Sequence, residues 1–380
     1  MRTFDRSKAD VVVDLVEQTI GLRLPVRVRV WDGSEAGAPA APGTPVAVIR
    51  SRRALRHILW RPGELGVARA YVEDDLDVEG DLADALRLVW RTVREARADD
   101  PDAARVRITP RRAARAAGIA LRTGAIGPRP GRPAAESRLS GVRHTRERDR
   151  AAIAHHYDLS NDFYRLILDD SMAYSSGFWT ADDPAYGLAD AQRDKLDLVC
   201  RKLGLRPGMR MLDIGCGWGS LSLHAAEHYG VRVTGVTLSA EQRDHVIGRA
   251  KERGLGDRLD IRLQHFRDLE AEGADAVASI EMGEHVGDEE YVDFTAAIHR
   301  YLRPGGRVLI QQMSRGQDAP GGGPFIETYI APDMHMRPLA DTVALVAGAG
   351  LEIRDVQAMR EHYPRTVAAW SDRLEQNWDR

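Results

Sequence analysis

The strongest chemical signal in the chain is the stretch Met211-Leu-Asp-Ile-Gly-Cys-Gly-Trp-Gly-Ser220. It reads as a short buried strand that ends in a glycine-rich turn and opens a helix over Leu221 to Tyr229. Gly215, Gly217 and Gly219 have no Cβ, so the backbone can turn tightly and lay its N–H groups against a ligand at a helix start. A dinucleotide site needs Gly-x-Gly-x-x-Gly and an acid about 20 residues further on. Here the spacing is Gly-x-Gly-x-Gly, Asp213 stands two residues ahead of it, and the next strand ends in Thr237-Leu238-Ser239 instead of an acid. The pattern argues against NAD. Asp213 either orients groups near the cofactor or caps its own turn.

The elements around this turn must hold it. From residue 188 onward helices and strands alternate: helix 188–203, strand 210–214, the turn and its helix, strand 232–237, helix 240–253, strand 259–263, strand 276–280, helix 289–302, Pro304-Gly-Gly306 and strand 307–312. Such alternation predicts an α/β fold, a doubly wound and mostly parallel sheet whose ligands sit at the carboxyl ends of the strands. Residues 1–102 predict a small α+β accessory domain, with helices over 9–20, 53–60 and 82–95 and strands over 26–31 and 45–50. Residues 103–150 predict an Arg-rich linker. Arg111, Arg112, Arg115 and Arg122 interleave with apolar residues in a basic amphipathic pattern, and Gly127-Pro-Arg-Pro-Gly-Arg-Pro133 cannot continue a helix. That segment is either a solvated hinge or a surface for anionic lipid head groups; its lack of aromatic residues argues against nucleic acid. Residues 151–380 are expected to form the second domain, which carries this sheet.

The chain has 380 residues, a net charge of −3 and 43% hydrophobic content, which suits a globular protein with a large core. Its two cysteines, Cys200 and Cys216, exclude a disulfide framework, and no Cys/His spacing suggests a metal. The charged residues within Met1 to Leu24 exclude a signal peptide, and no run reaches the ~18 apolar residues of a membrane span. The expectation is a cytoplasmic protein, peripheral at the inner face of the membrane.

The glycine turn resembles the first signature of class I S-adenosylmethionine methyltransferases, and Pro304-Gly-Gly306 before the fifth strand is typical of that superfamily. Further motifs narrow this. His156-Tyr-Asp-Leu-Ser160, Tyr174-Ser175, Leu212 to Gly219, Gly235-Val-Thr-Leu-Ser-x-x-Gln242, Glu284-His-Val-Gly287, and Tyr363 with Trp370 resemble the cyclopropane-fatty-acid and mycolic-acid cyclopropane synthases, in family order across 151–378. The first domain echoes the phospholipid-acting members more faintly.

The resemblance implies that Tyr174, Ser175, Asp213, Gly215, Gly217, Gly219, Thr237, Leu238, Ser239 and Gln242 hold S-adenosylmethionine, with Gln264, Phe266 and Arg267 near its adenine. It implies methyl addition to a cis alkene in an unsaturated phospholipid chain, through a carbocation that then loses a proton. Such a site needs π-faces and one positioned base; Tyr157, Tyr174, Phe178 and Tyr363 are candidate π-faces. In the family the base is a bound bicarbonate held by a Glu, a His and a Tyr, and Glu284 and Tyr363 match two of these. His285 adjoins Glu284 in the same motif. Gln311 stands where the family has His, and Ser176 where it has Cys. The segment Asp333 to Pro338 also departs from the family pattern, in a region expected to line the acyl channel. The product is therefore expected to be a cyclopropane or, where the proton is lost without ring closure, a methylene branch that a reductase partner would finish. A homodimer is expected by the same analogy. Transfer to a small soluble acceptor, or a non-catalytic lipid-binding role, are the alternatives.

Overall fold

The structure, a computed structural model, describes residues 6–100, 103, 109–137, 148, 161–270, 273–319 and 321–380. The His156-Tyr-Asp-Leu-Ser160 motif, with the candidate Tyr157, lies outside the described residues. The chain divides into two compact units: Met1–Glu136 with Gly323–Tyr329, and Ser137–Gly322 with Ile330–Arg380.

The first unit begins with α1 (Lys8–Ile20), which starts where Ser7 and Asp10 cap one another: the Asp10 N–H donates to Ser7 Oγ at 3.1 Å and the Ser7 N–H to Asp10 Oδ2 at 3.2 Å. Its sheet holds β1 (Arg27–Val30), β2 (Glu35–Gly37), β3 (Val46–Ile49) and β4 (Leu76–Glu79) in the order β2-β1-β3-β4. Val28 and Val30 face the core, while Arg27 and Arg29 alternate to the other side and pair with Glu35 on β2. β2 and β4 fall in stretches that read as loop and as an acidic run. They are only three and four residues long, and ion pairs such as Arg29–Glu79 tie them to the rest of the sheet. Three helices complete this part: α2 (Arg52–Trp60), α3 (Glu64–Val72) and α4 (Leu82–Asp99). The structure also departs from the expected linker. α5 (Pro110–Thr123) puts Ala120 into the same apolar core as Ala9, Val12 and Val13, because the alanine-rich side of the helix is smooth enough to pack. Residues 323–329 join this unit through Tyr329, whose hydroxyl donates to Glu136 Oε1 at 3.1 Å. Glu136 is itself buried in a bidentate pair with Arg69.

In the second unit β5 (Arg210–Ile214), β6 (Arg232–Thr237), β7 (Leu259–Leu263), β8 (Ala274–Ile280) and β9 (Leu302–Gln311) form one sheet, in the order β7-β6-β5-β8-β9. All its pairings are parallel. On one face lie α7 (Leu188–Leu203), which follows α6 (Asn161–Ile167), then α8 (Ser220–His228) and α9 (Ala240–Glu252). The other face carries α10 (Asp288–Tyr301) and α11 (Leu339–Gly348). α12 (His362–Gln376) closes the described chain. The Pro304-Gly-Gly306 turn is absorbed into β9 as a bulge, with Leu302 opposite Ala274 but Arg307 already opposite Ala276. The order of strands reverses between β5 and β8, and that is where a doubly wound sheet opens a cleft.

Candidate active site

A cleft of about 930 Å³, its mouth included, opens at the carboxyl ends of β5, β6, β7 and β8. Gly215 (φ 77°), Gly217 (φ 54°) and Gly219 (φ 78°) all adopt the left-handed conformation that favours glycine. Gly215 and Gly217 line the cleft; Gly219 lies behind it, against Val246 of α9. Gly217 faces open space, so its backbone is available to a ligand. Thr237, Leu238 and Gln242 form the wall after β6. The Thr237 hydroxyl donates to Gln242 Oε1 at 2.7 Å, which leaves Gln242 Nε2 buried and without a partner among the described residues. Ser239 does not reach the cleft; its hydroxyl caps α9 by accepting from the Gln242 N–H at 3.2 Å. Gln264, Phe266 and Arg267 line the far end, with the Arg267 guanidinium 5.5 Å from the Phe266 ring centre. A glycine cradle, an orphan buried donor and an aromatic–guanidinium end fit the polar amino-acid part and the flat adenine of S-adenosylmethionine.

The remaining cofactor candidates, Asp213, Tyr174 and Ser175, stand behind the cleft wall. Asp213 is buried and accepts from the Ser222 hydroxyl at 2.7 Å, which favours the turn-capping reading over direct contact. Burial pushes its carboxyl up to about 6, against the opposing pull of Ser222 and Lys195. Lys195, on the buried side of α7, is only 1% exposed and donates to Ser175 Oγ at 2.9 Å. Burial lowers its ammonium to about 8, opposed by the charges of Asp169, Glu281 and Asp213. One helical turn earlier, Gln192 donates to the Ser175 and Ala173 carbonyls at 2.8 and 3.3 Å. Gln192 and Lys195 therefore fix the Tyr174–Ser175 loop. Their sequence signal is a pair of polar residues three apart on an otherwise apolar helix face.

Tyr174 belongs to an aromatic cluster, 5.5 Å from Tyr164 and 5.2 Å from Trp370 between ring centres. Tyr164 also packs on Trp218 at 4.4 Å, and Tyr363 lies 6.2 Å from Trp370. Phe178 is a separate contact, stacked on His362 at 4.8 Å.

Glu284 is completely buried just after β8. Its carboxyl is set against a second carboxyl, Glu281, and senses the backbone N–H groups of Glu284 and Met313, none of them in regular hydrogen-bond geometry among the described residues. Two acceptors cannot bond unless one carries a proton. Burial first, and the nearby Glu281 second, hold the Glu284 carboxyl well above the usual carboxylate range. Glu281 lines the cleft and accepts from Gln311 Nε2 at 3.0 Å. The Tyr363 hydroxyl is raised mainly by burial and next by the Glu281 charge. His285 lines the cleft. Ser176 does not join the group: its buried hydroxyl donates to the Gly177 carbonyl at 3.0 Å. The segment after residue 332 is divided in its contacts. Pro332 and Asp333 line the cleft, whereas the His335 N–H donates to the Glu284 carbonyl at 2.6 Å. Arg337, also buried, donates to the Val286 carbonyl at 3.0 Å and to Asp288 Oδ1 at 2.8 Å. The altered residues His335 and Arg337 thus clamp the loop that carries Glu284.

The bicarbonate expected from the family does not fit these residues. An anion there would face two carboxyls, and Gln311 already turns one of its two amide N–H donors to Glu281 where the family has a histidine that can carry charge.

A raised carboxyl binds a proton in the folded state that the unfolded chain releases near pH 4. Glu284 therefore contributes stability that is fully present below about pH 4.3 and is lost as pH rises through its folded value. Glu284→Gln is neutral at every pH. Urea unfolding from pH 5 to 9 should show the variant gaining on the wild type as pH rises. Parallel curves would mean that Glu284 is ionised in the fold.

Residues 144–380 match the family model described as mycolic acid cyclopropane synthetase. A probable fatty acid methyltransferase of Pseudomonas putida is 34% identical over 360 residues, covering 93% of this chain and 82% of that protein. The cyclopropane-fatty-acyl-phospholipid synthase of Escherichia coli is 38% identical over 223 residues, 59% of this chain and 56% of its own length. Among solved structures, the mycolic acid cyclopropane synthase CmaA1 complexed with SAH and CTAB aligns with a TM-score of 0.56 and 33% identity, covering 60% of this chain and 84% of that one. The five-stranded parallel sheet, the cleft at its switch point and these matches place the chain in the mycolic acid cyclopropane synthetase family, a family of S-adenosylmethionine-dependent methyltransferases that act on lipids.

Proposed function

We propose that the protein transfers a one-carbon unit from S-adenosylmethionine to the cis double bond of an unsaturated acyl chain in a phospholipid. The observation that carries this reading is the cleft at the strand ends, where the glycine cradle and the Glu281 side chain line one space and Glu284 is buried just after the same strand. S-adenosylmethionine, when bound, supplies a methyl group made electrophilic by its sulfonium. An alkene is the nucleophile, so the protein needs no activated side chain. Its task is to exclude water and stabilise positive charge on the acyl chain. The faces of Tyr174, Trp370 and Tyr363 are suited to that, since a ring quadrupole attracts a cation best in a desolvated site. Once the chain has lost a proton the product is neutral.

Delivery of an acyl chain calls for contact with a lipid surface. No helix among the described residues is long and apolar enough to cross a membrane. The first unit exposes Trp60, Trp90, Leu121 and Ile126, with Leu121 at 70% and Ile126 at 62%. Such apolar side chains near the basic α5 support peripheral binding to an anionic bilayer.

The product is either a cyclopropane or a methylene branch, and the replacement of a family His by Gln311 together with the altered 333–338 segment gives the second equal weight. Both add CH₂, so mass cannot separate them. Proton NMR of lipids from an expressing host will: upfield ring protons mark the cyclopropane, and vinylidene protons mark the branch, which a separate reductase would then saturate. An expressing host whose lipids show no CH₂ gain would refute lipid alkylation, and turnover of a soluble acceptor without vesicles would replace it.

A further inference from the structure

We propose that Glu281 is the general base of the reaction, its own side chain standing where a bound bicarbonate would otherwise act. The inference rests on the lipid-alkylation reading above and names the group that takes the proton.

Four observations converge on Glu281. First, its backbone is left-handed, with φ 49°, although it carries a side chain. Non-glycine residues in this region cost on the order of 1 kcal/mol or more and cluster at functional sites. Second, its two oxygens are used differently. Oε1 accepts from Gln311 Nε2 at 3.0 Å, which fixes the carboxylate plane, while Oε2 is buried and has no partner among the described residues. Third, the residue lines the cleft that would receive substrate. Fourth, Glu284 beside it is completely buried and has no partner in regular hydrogen-bond geometry among the described residues. Burial, and next the neighbouring Glu281, hold the carboxyl in that position well above the usual carboxylate range, so of the two it is Glu281 that lines the cleft and can meet substrate. Gln311 has the right chemistry for such a partner: its amide donates an N–H to a carboxylate without competing for the proton. The ammonium of Lys195 also senses Glu281 and supplies a buried positive charge to the same region.

The step balances without any further reactant. After methyl addition the acyl chain carries one positive charge. Glu281 Oε2 removes a proton from the added methyl carbon. The electron pair left by that C–H bond forms either the third side of a cyclopropane or, after a hydride shift brings the charge beside that carbon, a C=C bond. Glu281 is then neutral, and releases the proton to water through the open cleft.

The test compares wild type, Glu281→Gln, Glu281→Asp and Glu281→Gly on unsaturated phospholipid vesicles, in buffer freed of carbon dioxide and with bicarbonate added back. Binding of S-adenosylhomocysteine, measured by calorimetry, checks folding and the cofactor cleft independently of turnover. Wild type should run equally well with and without bicarbonate. Glu281→Gln should lose on the order of 10²–10⁴-fold in turnover, the usual worth of a general base, with cofactor affinity unchanged. Glu281→Asp should recover part of the loss, and bicarbonate should restore activity to Glu281→Gly, where it can enter the vacated space. A wild type that depends on bicarbonate, or a Glu281→Gln enzyme of undiminished turnover, overturns the assignment while leaving lipid alkylation intact. A wild type that adds CH₂ to no lipid removes both.

Discussion

Lys195→Met is expected to destabilise the protein by about 3–5 kcal/mol at pH 7–8, the range for removing one partner from a buried charge network. Lys195 is the buried cation among Asp169, Asp213 and Glu281. Without it Asp213, already pushed up to about 6, loses its opposing charge and moves higher. A carboxyl raised in the fold contributes stability below its unfolded value near pH 4, and that contribution is lost as pH rises through the folded value. The deficit of the variant should therefore be small at pH 5, where protonation relieves the buried acids, and largest at pH 7–8. Urea unfolding at the two pH values measures this. A deficit of the same size at both would show that Lys195 acts by packing alone. The variant should also bind S-adenosylhomocysteine more weakly, because the Ser175 hydroxyl loses its donor and the Tyr174–Ser175 loop is released.

The second large effect is expected at Gly219, and a neighbouring glycine serves as its control. A side chain on Gly219 must adopt φ 78°, and its Cβ would come within 2.7 Å of both methyl carbons of Val246. Left-handed backbone costs about 1–2 kcal/mol and overpacking about 1–3 kcal/mol, so Gly219→Val should lose roughly 3 kcal/mol. Gly217 has φ 54° but open space around it, so Gly217→Ala carries only the backbone part. Thermal unfolding should rank Gly219→Val well below Gly217→Ala. Calorimetry should find cofactor affinity reduced in Gly217→Ala, since the added methyl projects toward the cleft. Equal unfolding temperatures for the two variants would mean that α8 and α9 shift apart at little cost.

Most of the second unit's strands and helices were legible because their signals are local. Alternating helix and strand periods over 188–312 predict the parallel sheet, and the glycine spacing after Ile214 predicts a turn against a ligand. Each depends on residues within a few positions of one another. The short strands β2 and β4 are not legible in the sequence, since each has only three or four residues and the partner of β4, β3, lies about thirty residues away. α5 was read as part of a linker because nothing local says that its alanine side meets α1.

The site divides in the same way. Residues on the glycine turn, Thr237 to Gln242 and Gln264 to Arg267 were named from motifs, and most of them line one cleft. Asp213, Ser175 and Ser239 were named with them, yet the fold turns their side chains into supporting hydrogen bonds. Glu281, Gln192 and Lys195 were not named at all. In a list of residues Glu281 is one acid in a strand-end loop, and Lys195 one cation on an amphipathic helix.

The sequence by itself determined the cofactor class and the family, because the glycine spacing and the motifs that follow β6 and β8 are short-range patterns with one geometric reading. Only the tertiary structure decided which carboxyl meets the cleft and which is buried. Glu281 and Glu284 differ in solvation, in their neighbours and in the left-handed turn that swings one of them over the cleft. Those differences arise when β8, β9 and the 333–338 segment pack together; no residue spacing carries them.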